Sequence, residues 1–247
     1  MSDFFQFPTT KPACGGFSIG HLVFLIFCIF LIIIGVILTV KYVQDMNKFL
    51  LSIGIGALLF ELIKIVWGTS VNRYEVWVEY LPLWFCSLFV PASILASVTK
   101  GRVRHLAISF MFYGGIVGGV AYLLFPTTSL YKFPAFHFLS FHSMLYHTMM
   151  VYTGLVIMIK KLIVPSLKDF LPYFIFTTVF CIISYVINQI YDTNFMFLNE
   201  TSNNDILKLF MNLTKGFYPV ALTLFQNIGT FFISLGIFKL VKIKNKL

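Results

Sequence analysis

Charge is what this chain has least of. Its 247 residues carry 9 acidic and 18 basic side chains, so 11% are charged where a soluble domain has about 25%. Cysteine is sparse as well: Cys14, Cys28, Cys86 and Cys181 are too few for a disulfide framework, and only Cys14 falls outside apolar sequence. No repeat, linker or low-complexity tract divides the chain. His, Cys and carboxylate residues nowhere adopt zinc spacing, so no metal and no other cofactor is expected. The basic residues lack the base-reading or stacking groups of a nucleic-acid surface, which excludes that class of partner. The first 16 residues have no basic n-region, and the apolar run behind them is too long for a signal-peptide core. That run is expected to remain as a permanent helix.

What the chain has instead is apolar length. Hydrophobic residues make up 59% of it and 30 are Phe, more than a soluble fold of this size can hide. Runs of roughly 18 or more apolar residues read as transmembrane helices. They fall near 18–41, 49–68, 81–98, 105–125, 137–159, 170–190 and 217–238, separated by Pro, Gly, Asn and basic clusters. The expected fold is an all-α polytopic membrane bundle of seven helices, one integral domain over residues 1–247.

Loop charge sets the expected orientation. Alternate loops and the tail hold 12 basic residues: Lys41, Lys48, Lys100, Arg102, Arg104, Lys160, Lys161, Lys168, Lys239, Lys242, Lys244 and Lys246. The other side holds Lys11, Arg73, Lys132, Lys208 and Lys215, while Lys64 lies inside a run. The N-terminus is therefore expected outside and the C-terminus in the cytoplasm. This is the pattern of a multi-pass cell-membrane protein whose basic belt faces anionic headgroups.

Ionisable residues inside such runs point to a site by default. Once oriented, Glu61, Lys64, Cys86, His142, His147 and Asn188 all fall in the outer half of the bundle. Glu61 and Lys64 are three apart on one helix face, so they can neutralise each other or orient something else. Cys86 follows Pro82 by four residues and shares a depth with charged groups, unlike Cys28 and Cys181 in purely apolar runs. A nearby base can turn such a thiol into a nucleophile. His137, His142 and His147 are spaced by five, which turns a helix by about 140° between neighbours and keeps them off one shared metal. His142 best matches Cys86 in depth, and His147 lies nearer the midplane. Asn188 and Asn194 are amides that either end a helix or orient a ligand. Gly114, Gly115, Gly118 and Gly119 form a small-residue stripe suited to close helix packing. Pro91 lies inside the third run and is expected to kink it.

Glu61-Leu62-Ile63-Lys64, Leu81-Pro82-Leu83-Trp84-Phe85-Cys86, Tyr146-His147 and Asn194-Phe195-Met196-Phe197 occur in an order that resembles the YwaF family of bacterial integral membrane proteins. That family is similar to animal TMEM-type lipid acyltransferases. The resemblance implies that Cys86 is a nucleophile and His147 the family histidine. The chain departs from its relatives at Trp84, where they often carry His, and at Gly154, where they tend to carry Pro. The expectation is lipid acyl transfer or ester hydrolysis in the outer leaflet by Cys86 with His147 or His142. Glu61, Lys64, Asn188 and Asn194 would orient the substrate, and membrane lipids would be the partners. Two alternatives stand beside it: a small-solute or proton-coupled transporter built on Glu61, Lys64 and His147, and a structural membrane partner.

Overall fold

The computed structural model describes residues 3–73, 77–201 and 205–244. Of the basic tail, Lys246 lies outside the described residues. Regular structure among them is helical: α1 (Ile19–Tyr42), α2 (Met46–Ser70), α3 (Phe89–Val98), α4 (Gly101–Ser109), α5 (Gly115–Leu124), α6 (Phe138–Ile159), α7 (Phe170–Tyr191), α8 (Asp205–Thr214) and α9 (Tyr218–Lys244). Five stretches among the described residues are long and apolar enough to cross a bilayer: Ile19–Tyr42, Met46–Ser70, Gly101–Leu124, Leu167–Tyr191 and Leu207–Leu240.

The helices begin and end where local chemistry directs. Ser18 caps α1 by accepting from the His21 N–H. Asp45 caps α2 through the N–H groups of Asn47 and Lys48, and the Lys48 donor above all holds its carboxyl below the usual carboxylate range. Lys160 Nζ donates to the Val43 carbonyl at 2.9 Å, tying the α1–α2 corner to the end of α6.

α6 sits at the centre. Fourteen of its 22 residues are buried, against four of 24 in α1. This explains its composition, because Ser140, His142, His147, Thr148 and Thr153 are affordable only where protein surrounds them. α1 presents Ile26, Phe30, Ile33 and Ile37 outward, the apolar face a lipid environment accepts.

Lipid tails are as apolar as leucine, so helix association in a membrane rests on close packing rather than hydrophobic burial. The glycine stripe supplies that packing. A Cβ on Gly119 would sit 2.6 Å from Val151 Cγ2 and 3.0 Å from the His147 carbonyl, and one on Gly118 3.3 Å from Phe85. Between α4 and α5, residues Phe110–Gly114 form one π-helical turn, all five of them buried. Such turns are rare and frequently accompany functional sites.

The third apolar run departs from expectation. Only Phe89–Val98 is helical; residues 81–88 are turns. Pro91 is thus the third residue of α3, in a first turn whose N–H groups lack helical partners anyway. It begins a helix instead of kinking one. The stretch between the sixth and seventh expected spans holds α8, whose Leu207, Phe210 and Met211 pack on the core.

Gly119→Val should lower the unfolding temperature of the detergent-solubilised protein by several degrees, a cost of about 1–3 kcal/mol for overpacking. Gly229→Val, with nothing within 4 Å of the new Cβ, is the control. Equal losses in the two variants would contradict the packing assigned to the stripe.

Candidate functional site

Backbone that is not helical can lie at membrane depth only where protein satisfies its polar groups. Residues 81–88 meet that condition. Ser184 Oγ donates to the Leu83 carbonyl at 3.2 Å, and the Tyr146 hydroxyl to the Cys86 carbonyl at 3.3 Å. The Cys86 carbonyl also takes the Phe89 N–H at 3.0 Å. Trp84 packs against Phe195 and Phe197 with ring centroids 5.6 and 5.4 Å apart. Cys86 therefore occupies a turn braced from two helices and from the loop that carries Phe195 and Phe197.

α2 contributes Glu61 and Lys64. Glu61 is buried, its Oε1 accepts from Ser87 Oγ at 2.9 Å, and its Oε2 is ion-paired with Lys64. The carboxylate thus links α2 to the residue next to Cys86 while the ammonium cancels its charge. Both groups lie within electrostatic reach of the Cys86 sulfur.

α6 contributes the histidines. Each hydrogen-bonds a backbone carbonyl, which fixes its tautomer. His142 Nε2 donates to Phe60 O at 2.9 Å, and His147 Nδ1 donates to Ser143 O at 2.7 Å. The remaining nitrogens, His142 Nδ1 and His147 Nε2, are buried acceptors without a partner among the described residues. His147 is stacked on Tyr122 of α5, centroids 3.6 Å apart and planes 7° from parallel. Tyr122 is fixed in turn by Ser129 Oγ at 2.9 Å and lies within electrostatic reach of Cys86. No hydrogen bond joins the Cys86 thiol to either imidazole among the described residues.

Glu61, Lys64, Cys86, His142 and His147 thus share one interior with Tyr146. Asn188 does not face into it. Its Oδ1 accepts from Thr193 Oγ1 at 2.9 Å and the Phe195 N–H at 2.8 Å, and its Nδ2 donates to Phe195 O at 3.0 Å. The amide is spent on the loop, where Met196 and Phe197 hold left-handed φ values of 55° and 59°. Such residues cost of order 1–3 kcal/mol each and persist only where surroundings impose them. Asn194 is bound into the same loop, its Oδ1 accepting the N–H groups of Asn199 and Glu200 at 3.1 Å each. Both amides therefore act on the loop that presses Phe195 against Trp84. His137 is likewise committed: it caps α6 and bonds the Gln6 carbonyl at 3.0 Å, holding the N-terminal residues over that end of the bundle.

Sequence reasoning missed Ser87, Tyr122 and the π-turn. A serine or tyrosine in an apolar run is common enough to carry no signal. The π-turn depends on one extra residue per turn, which no residue type announces.

Removing the Glu61 carboxylate leaves Lys64 without its counter-charge, and breaking a buried pair costs about 3–5 kcal/mol. Glu61→Ala should show this in chemical unfolding, and the double variant Glu61→Ala/Lys64→Met should recover much of it. No recovery in the double variant would mean that the two side chains are not coupled. Asn188→Ala should hasten proteolysis between residues 193 and 201, while unchanged cleavage would contradict its role as the loop's anchor.

Compared with known families, residues 16–237 match the TMEM164 family model, and the chain belongs to that family. No curated protein matches the chain. No solved structure matches it.

Proposed function

With membership of the TMEM164 family as premise, we propose that this multi-pass membrane protein acts on lipid esters from the interior that holds Cys86 and His147. The full topology belongs to the same reading: seven crossings of the cell membrane with the N-terminus outside and the C-terminus in the cytoplasm, the third crossing made by the turns at 81–88 together with α3. The carrying observation is the buried, unpartnered Nε2 of His147, a lone pair fixed in place by the Ser143 carbonyl and the Tyr122 ring. A base without an internal partner, in the same interior as a thiol, is arranged for proton transfer.

The steps follow. The Cys86 proton passes to His147 Nε2, and the thiolate adds to the acyl carbonyl of a phospholipid ester. The ester C–O bond breaks, and the departing alkoxide takes the proton back from the imidazolium, leaving a thioester on Cys86 and a lysolipid. A hydroxyl of a second lipid, or water, then gives its proton to His147 and attacks the thioester; the C–S bond breaks, and the departing thiolate takes the proton back from the imidazolium to restore the thiol. Glu61 orients this arrangement through Ser87, the residue next to the nucleophile. Its ion pair with Lys64 already balances its charge, which favours an orienting role over coupling to a transported ion.

Purified protein in phospholipid vesicles should exchange labelled acyl chains between lipids. Cys86→Ala should abolish exchange, and His147→Gln should lower it by about 10²–10⁴-fold, the span of general base catalysis. Full exchange by Cys86→Ala would remove the proposal. Solute uptake by the same vesicles, with no exchange, would favour transport.

A further inference from the structure

A cleft that Cys86 does not line lies at the corner where α7 ends and α8 turns into α9. Its volume is about 680 Å³. Leu198, Met211 and Pro219 form its apolar wall, while Gln189, Asn212 and Lys215 supply polar groups, and no acid lines it among the described residues. Three observations set it apart from an ordinary surface groove.

The first is uncommitted polarity. Lys215 is exposed, and its ammonium has no ion pair among the described residues. Asn212 is exposed in the same wall. The second is Tyr218. This side chain is 2% exposed, forms part of the cleft, and has a buried hydroxyl with no hydrogen-bond partner among the described residues. A buried hydroxyl left unpaired is costly, and each such group in a folded protein calls for an explanation. The third is location. Leu213 and Phe217, exposed by 74% and 76%, flank Lys215 along the chain, and Val220 and Phe225 continue outward along α9. A ligand seated at Lys215 would thus have apolar surface beside it for a tail.

We propose that this cleft binds the phosphate-bearing headgroup of a membrane lipid. Lys215 meets the phosphate charge, Tyr218 donates its hydroxyl, and the lipid chains lie along Leu213, Phe217 and Val220. Charge-assisted hydrogen bonds are about twice as strong as neutral ones, so Lys215 carries the larger share. This binding is independent of the Cys86 reading and survives its failure.

The test uses the full chain in detergent and three soluble probes: dihexanoyl phosphatidylglycerol, inorganic phosphate and dihexanoylglycerol. Equilibrium binding is followed by intact-protein mass spectrometry and by competition. The short phospholipid should bind, and Lys215→Gln should weaken it about tenfold. Tyr218→Phe, which keeps the ring, should weaken it several-fold. Lys100→Gln, at the opposite end of the bundle, should leave it unchanged. Equal binding of dihexanoylglycerol would overturn phosphate recognition, and inorganic phosphate binding as tightly as the phospholipid would overturn the lipid as its source. Unchanged affinity in both Lys215→Gln and Tyr218→Phe, with unfolding temperatures like the parent, would overturn the site.

Discussion

Eight residues of non-helical backbone inside a bundle of apolar helices impose the constraint on which the rest of this molecule depends. Every N–H and C=O there has to find a partner in protein, because lipid supplies none. Residues 81–88 draw those partners from Ser184 on α7 and Tyr146 on α6, and Trp84 leans on the loop that Asn188 holds. Removing any one brace loosens a segment that carries Cys86. The central, polar helix α6, the close α5–α6 approach and the strained loop at 195–197 all serve that segment.

The same constraint shapes the chemistry of the interior. α6 can carry two histidines because the bundle encloses it, and each imidazole uses one nitrogen on a backbone carbonyl. What remains are two lone pairs facing inward with fixed tautomers. Glu61 is held so that its charge is balanced by Lys64 while it still grips the neighbour of Cys86. The arrangement limits charge at depth while leaving a base and a thiol uncommitted.

Long apolar runs made much of this legible. α1, α2, α6 and α7 begin and end within a few residues of the expected spans, because Ser18, Asp45 and the basic corners mark their ends. The third run misled for a physical reason. Leu83, Trp84, Phe85 and Cys86 are apolar enough for a helix, and hydropathy cannot tell a lipid-facing helix from irregular backbone wrapped in protein. Among the polar residues, the level each occupies along the bundle relative to the others was readable but rotation was not. Glu61 and the histidines turned inward together, whereas the Asn188 amide, at a similar level, bends back onto its own loop. Partners such as Ser87 and Tyr122 gave no sign because a hydroxyl tolerates either environment.

The central claim is that Cys86 reacts covalently within this braced turn. Incubating the purified protein with a phospholipid labelled in its acyl chain, quenching in acid and mapping peptides by mass spectrometry tests it most directly. The account expects an acyl mass on the peptide containing Cys86 that neutral hydroxylamine removes and that is absent from Cys86→Ser. Lipid turnover with Cys86 unmodified at every time point, or an acyl group carried by another residue, would contradict it.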